Sequence, residues 1–414
     1  MDKVEIVDVG SLPELGVVPE YMHAQVIRQD RFGEPKDAYK PEKIKVPEIA
    51  DDEVLIAVKA AGVNYNCVWA STGYPVDVIK LREIRGEANG DFHIAGSDAS
   101  GIVWKIGKDV KNVSVGDEIV VLPAHIDPNE PYLAAGGDDM LSTTLRAWGF
   151  ETNWGSFAQF CKAKHFQCVP KPKHLSWAES SVYMLSGATA YRMLLHHHPH
   201  TVKKGDVVLI WGGSGGLGVM GIQLVKRAGG IPVAVVSSDE RAEFCKKLGA
   251  LTINRSNYSH WGALKTAVQD DPAYLEWRKG VKAFNKELLT ITGGKAPFIV
   301  LEHPGEMTFP TSLFVCDPGG MVITCAGTTG YMASFDLRFL WIFKKRVQGS
   351  HGASVEEHTL FNDLVRNKEI EPIVSEVFPY DKIGDSVQKM YDNKHLPGSM
   401  AVLVGAKDEN EGRS

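Results

Sequence analysis

Residues 206–218 read DVVLIWGGSGGLG, an apolar run of strand length that ends in a glycine-dense turn and leads into GVMGIQLVKRAGG (218–230). Gly213, Gly215 and Gly218 match the spacing GxGxxG, and a strand before with a helix after gives that spacing its meaning. The first glycine allows the tight turn, the second lets backbone approach a pyrophosphate, and the third permits close helix–strand packing, while the first helical N–H groups face the anion. Ser214, Gly216 and Leu217 complete this predicted phosphate-facing loop. Beyond it, IPVAVVS (231–237) reads as a second strand and DERAEFCKKLGA (239–250) as a second helix. FIVLEH (298–303) and GMVITCAG (320–327) are apolar enough for strands buried on both faces, and after about Trp341 the chain is expected to leave this sheet. The alternation predicts an α/β fold class with a doubly wound parallel sheet of Rossmann type.

For NAD, an acidic residue near the end of the second strand would hold the ribose 2′-OH. Here that strand ends in Ser237 and Ser238, followed by Asp239 and Arg241. Two hydroxyls and a guanidinium suit a 2′-phosphate better, so NADPH is the predicted cofactor, with Arg255 a second candidate contact and Asp239 the residue that favours NADH instead.

Upstream, AQVIRQD (24–30), EVLIAVKAAGVN (53–64), FHIAGSDASGIVWKIG (92–107) and VSVGDEIVVL (113–122) are short β-branched runs separated by glycine-bearing turns, and they predict a barrel-like antiparallel lobe. Downstream, residues 354–368 read as an amphipathic helix, IVSEVFPYDKIGDSVQKMYDN (373–393) as a strand and a helix, GSMAVLVGA (398–406) as a last strand, and KDENEGRS (407–414) as a solvated tail.

The 414 residues include 44% apolar and 23% charged side chains, the texture of a folded two-lobed protein rather than a disordered or coiled-coil chain. A net charge of -6, without long runs of one sign, argues against a nucleic-acid partner. No 18-residue apolar stretch or signal-type start is visible, so the expectation is no membrane partner and a cytoplasmic location. Six cysteines, none in a CxxC pair, read as small buried hydrophobes of a reducing compartment. His196, His197, His198 and His200 follow a helical segment and read as a surface turn rather than a metal site.

A β-rich lobe interrupted by a Rossmann lobe resembles the medium-chain dehydrogenase/reductase superfamily. The resemblance implies a GroES-like catalytic domain (1–186 and 344–414) and an inserted NADPH-binding domain (187–343). Where zinc enzymes of that superfamily carry GHE, this chain reads GSDASG (96–101), with Ser97 in place of the histidine, so no metal is expected. Longer strings, AGVNYNCVWASTG (61–73), WGFETNWGSFAQF (148–160), ATAYRML (188–194), EHPGEMTF (302–309) and CAGTTGY (325–331) with DLRFLW (336–341) and KRVQGSH (345–351), are similar to crotonyl-CoA carboxylase/reductase.

That resemblance implies hydride delivery from NADPH to the β-carbon of a short enoyl-CoA and attack of the enolate on CO2, in a homotetramer. It also implies that Asn66 holds CO2 through its amide, that Phe150 supplies a wall and a backbone contact, that Glu151 fixes a water and that His351 is an imidazole donor. Independently of family, nascent carboxylate charge on CO2 needs donors that strengthen as it grows, and the enolate must be denied a proton. The alternative is an acrylyl- or crotonyl-CoA reductase without carboxylation, for which Tyr74 would be the proton donor. Arg338, Lys344, Lys345 and Arg346 are candidates for a CoA-binding basic patch.

Overall fold

A computed structural model describes residues 4–87 and 90–413. The chain forms two compact units, Met1–Ser186 with Gly352–Ser414, and Gly187–His351.

The second unit is built on six parallel strands, in the spatial order Leu251–Asn254, Ile231–Val236, Val207–Trp211, Ile299–Glu302, Met321–Thr324 and Arg346–Gly349. The third, second and first strands are thus followed by the fourth, fifth and sixth, so the order reverses between Val207–Trp211 and Ile299–Glu302. A doubly wound sheet opens its ligand crevice at that reversal. Val207–Trp211 is buried at all five positions, as a central parallel strand should be. Leu209, Trp211, Val233, Phe284 and Val300 share one apolar core.

The sheet does not end near Trp341. Arg346–Gly349 pairs in parallel with Met321–Thr324, and the unit continues to His351 rather than stopping at 343. The strand escapes a hydrophobicity reading because it is an edge, with half-buried and exposed residues in alternation.

Among the described residues, the first unit holds a sheet in the order Cys168–Pro170, Glu118–Val121, Asp98–Ile106, Glu53–Val63, Ser399–Leu403 and Val374–Pro379, with Phe160–Lys164 as a further partner of Glu53–Val63. Its pairings are antiparallel except that Ser399–Leu403 and Val374–Pro379 run parallel. Glu53–Val63 is buried along its 11 residues because three strands share its edges. A second sheet sets Tyr21–Ile27 between Lys40–Lys45 and His93–Ile94, and a common core of Met22, Ile56, Val103, Phe157 and Phe160 joins the two.

The segment 407–413 is exposed at 407–410, as a solvated tail should be, but is anchored to the unit through Glu411, Gly412 and Arg413. Trp177 donates its backbone N–H to Glu411 O at 2.8 Å, and Lys171 Nζ reaches Gly412 O at 2.6 Å. Lys59 Nζ pairs with Glu411 at 2.6 Å, and Arg413 with Glu179 at 2.7 Å. Gly412 has φ +99, and a Cβ there would stand 2.7 Å from the Trp177 ring. The physical reason lies outside the tail: the Lys171 side chain is wholly buried, burial lowers its pKa, and such a cation needs acceptors brought to it. Deleting residues 407–414 removes those acceptors and should lower the melting temperature by roughly 5 °C. Calorimetry checks this, and an unchanged melting temperature would show that the tail contributes nothing.

Candidate active site

Asn66 lies in the first turn of the helix Tyr65–Thr72, which begins as Glu53–Val63 leaves the sheet and is closed by Gly73 in the left-handed conformation. Its side chain is turned inward, and Nδ2 donates to Ser97 Oγ at 2.6 Å. Two residues earlier Asn64 Nδ2 donates to Asp98 Oδ2 at 2.9 Å, while Asp98 Oδ1 accepts the N–H of Leu185 at 2.8 Å. Burial pushes the Asp98 carboxyl up to about 7. The amides of NYN are therefore held by adjacent residues of GSD.

Phe150 and Glu151 occupy a tight turn whose geometry depends on glycine. Gly149 has φ +68, and a Cβ there would lie 2.0 Å from Gly96 O, so the WGFET turn rests directly on the backbone before Ser97. The Phe150 ring packs 6.2 Å from Trp69 of the Asn66 helix, and Trp69 packs edge-on at 5.4 Å against Tyr65. Glu151 Oε2 accepts Ala147 N–H at 2.9 Å, and Oε1 lies 3.4 Å from Arg85 Nη2. The unit thus assembles Asn66, Phe150 and Glu151 around Trp69 and the backbone of residues 96–97. His351 is the last residue of the other unit, exposed beyond the strand Arg346–Gly349. Tyr74 is 63% exposed.

In the second unit the glycine loop follows the reversal strand, and the helix Gly216–Arg227 starts from Gly215. Gly218 could take no Cβ, which would lie 2.5 Å from Gly212 O, and Gly213 is equally closed by Ala234. At Gly215 the nearest atom to a Cβ would be Gly212 O at 3.5 Å, so this position is open. The three glycines therefore divide into two packing positions and one that leaves space for a ligand. Arg241 Nη1 donates to Ser214 Oγ at 3.0 Å, and Ser238 Oγ caps the next helix by accepting Arg241 N–H at 3.3 Å. A half-buried guanidinium, its pKa lowered by burial, thus stands between the glycine loop and the end of Ile231–Val236. Asp239 instead accepts from Asn254 Nδ2 at 2.8 Å. Hydroxyl, guanidinium and helix N–H groups fit a phosphorylated dinucleotide.

Three of the four basic residues before His351 are engaged within the unit, while Lys344 is exposed. Lys345 is 9% exposed and donates to Leu313 O at 2.7 Å, Arg338 pairs with Asp336 at 2.7 Å, and Arg346 reaches the His197 and His198 carbonyls.

Two family models match parts of the chain: an alcohol dehydrogenase GroES-like domain over residues 50–173 and a zinc-binding dehydrogenase model over 216–367. A crotonyl-CoA carboxylase/reductase of Cereibacter sphaeroides is 46% identical over 98% of this chain and 92% of its own length. The chain belongs to the crotonyl-CoA carboxylase/reductase family. A crotonyl-CoA reductase of Streptomyces collinus is 38% identical over 93% of the chain and 86% of its own length. Among solved structures, the crotonyl-CoA carboxylase/reductase AntE in complex with NADP superimposes with a TM-score of 0.93 at 48% identity, covering 98% of this chain and all of that one. The 2-octenoyl-CoA carboxylase reductase CinF, in complex with NADP and 2-octenoyl-CoA, superimposes at 0.87 with 36% identity over 95% of this chain and 90% of its own.

The zinc that one family model implies does not fit this member of the crotonyl-CoA carboxylase/reductase family. Ser97 spends its oxygen on Asn66, burial pushes the Cys67 thiol up to about 12, and His93 Nδ1 accepts from the Arg82 guanidinium at 2.9 Å. Among the described residues, no three His, Cys, Asp or Glu side chains form a metal-holding group.

Residue patterns did not single out Ser97 and Asp98 as supports, Arg85 beside Glu151, or the Glu302 cluster. The buried carboxylate of Glu302 accepts from Gly305 N at 3.0 Å, Thr308 Oγ1 at 2.6 Å and Ser312 Oγ at 2.5 Å, fixing the loop that follows the fourth strand. His303 in that loop stands where a Cβ of Gly212 would be, 2.4 Å from Nε2. Burial outweighs the three donors and pushes Glu302 up to about 7. In the unfolded chain this carboxyl ionises at its ordinary lower value, so folding takes up a proton between the two values and stability falls as pH rises toward 7. The Glu302→Gln variant should flatten that fall, as thermal unfolding between pH 5 and 8 would reveal by a smaller slope than wild type.

Proposed function

We propose that the chain is an NADPH-dependent reductive carboxylase that converts a short α,β-unsaturated acyl-CoA of the crotonyl type into the alkylmalonyl-CoA. The observation that carries this reading is the match to a crotonyl-CoA carboxylase/reductase over 98% of the chain, with NYN, GSD and WGFET held together in one unit.

NADPH, when bound, supplies the hydride that turns the conjugated thioester into its enolate. The glycine loop with Ser214, Ser237, Ser238 and Arg241 binds the dinucleotide and prefers its 2′-phosphate. Asn66 offers the N–H that Ser97 leaves unused to an oxygen of CO2, an interaction that strengthens as carboxylate charge develops. Glu151, oriented by Ala147 and Arg85, fixes a water at the same end of the site, and Phe150 excludes other solvent that would protonate the enolate. His351 donates to the nascent carboxylate.

The enzyme is proposed to act in the cytoplasm, consistent with five buried cysteine thiols and one partly buried one, and with no described helix long and apolar enough to cross a membrane. A homotetramer, which the family resemblance implies, would have apolar surface available at exposed Met332, Leu337, Trp341, Ile342 and Val347, the last on the edge strand Arg346–Gly349.

With crotonyl-CoA, NADPH and bicarbonate plus carbonic anhydrase, the product should be heavier than butyryl-CoA by one CO2 in mass spectrometry. Butyryl-CoA alone would make the protein a plain reductase, the activity named for the Streptomyces relative. Asn66→Leu and His351→Asn should shift product toward butyryl-CoA, and unchanged ratios in both would remove the CO2 assignment. Arg241→Ala should weaken NADPH by roughly tenfold or more relative to NADH, the scale of one charge-assisted bond, measured as the ratio of dissociation constants.

A further inference from the structure

Gly96, Ser97 and Asp98 each make a contact that places a proposed CO2-handling element. Gly96 has φ +104, its carbonyl accepts Ser156 N–H at 3.0 Å, and the Gly149 turn bearing Phe150 and Glu151 lies against it without room for a Cβ. Ser97 is wholly buried and its hydroxyl takes the Asn66 amide at 2.6 Å. Asp98, equally buried, takes Asn64 at the start of the Asn66 helix.

An asparagine side chain left to itself samples several rotamers and both amide orientations. The bond to Ser97 selects one rotamer and, with Nδ2 donating, points the second N–H along a fixed direction, where no described residue accepts it. The position of that N–H relative to Glu151 is then set by three consecutive backbone units, a rigid base of the kind a selective site requires.

We propose that Ser97 is a positioning residue that fixes the Asn66 amide and so decides the partition of the enolate between CO2 and a proton. This rests on the reading of Asn66 given above. Ser97 touches no reacting atom and acts through Asn66 alone.

The test measures the carboxylated fraction of product at limiting CO2 for wild type, Ser97→Ala, Ser97→Cys, Asn66→Leu and the Asn66→Leu/Ser97→Ala double variant, each checked for folding by circular dichroism. Ser97→Ala should lower the fraction about five-fold, the factor matching one net hydrogen bond. Ser97→Cys keeps the volume but accepts only weakly, so it should lower the fraction as well. A packing role predicts a wild-type fraction for Ser97→Cys and would overturn the proposal. At a CO2 level where Asn66→Leu still yields carboxylated product, adding Ser97→Ala should change nothing further; the same loss in both backgrounds would show that Ser97 acts independently. If Asn66→Leu itself leaves the fraction unchanged, the underlying reading of Asn66 fails, and this inference with it. If Asn66→Leu shifts the fraction and neither Ser97 variant does, the inference alone fails.

Discussion

The carbonyl of Gly96 lies where any side chain at position 149 would have to stand, at 2.0 Å from the Cβ site. That approach of two backbones ties the turn carrying Phe150 and Glu151 to the strand start carrying Ser97 and Asp98. Gly96 is in the left-handed region, and a Cβ there would lie 2.3 Å from Ser156 Oγ, so neither partner can be relaxed by a small side chain. Ser97 and Asp98 then extend the constraint to the helix of Asn66 through two hydrogen bonds. The polar side chains of Asn66 and Glu151, from separate parts of the chain, are thereby referred to one rigid base, beside which Phe157 joins the core of Met22 and Ile56.

In the second unit the corresponding constraint is the reversal of strand order. It parts the loops after Val207–Trp211 and Ile299–Glu302, and in a parallel sheet both loops leave from carboxyl ends. The glycine loop could collapse onto its neighbours, since two of its three motif glycines already pack against backbone or Ala234. Arg241 and Ser214 hold its outer side, while the Glu302 cluster fixes the loop of His303 on the inner side. A carboxylate buried among three donors costs free energy when ionised but gives that loop a single conformation.

Elements with periodic signals were legible from residues alone: the central parallel strands and the strand–glycine–helix unit. Elements defined by distant partners were not. Ser97 meets Asn66 across 31 positions and Arg85 meets Glu151 across 66, and no local pattern encodes such pairs. The edge strand Arg346–Gly349 lacked an apolar run because only one of its edges is paired. The anchoring of the tail at Glu411 and Gly412 was not legible because its partners, Lys59 and Lys171, are buried cations whose need for acceptors is invisible until burial is known. Lys345 was misread for the same reason, as a surface cation when it is an internal donor.

A serine at position 97, in the string that resembles the GHE of zinc enzymes, suits a different kind of electrophile from the one a metal site favours. A metal ion polarises a carbonyl by charge and needs no fine orientation of neighbouring amides. CO2 is uncharged and has no dipole, so a donor gains little from it before bond formation and much as the carboxylate grows. Such a donor is effective only if it is already in place, because reorienting an amide during the reaction would consume the gain. A neutral side chain in the first turn of a helix, held by a buried hydroxyl at 2.6 Å, satisfies that condition without charge. A charged donor in its place would stabilise the enolate oxygen as readily as the carboxylate and lose the discrimination. On this reading, selectivity for CO2 over a proton depends on the direction of one amide N–H, and that direction is set by Ser97.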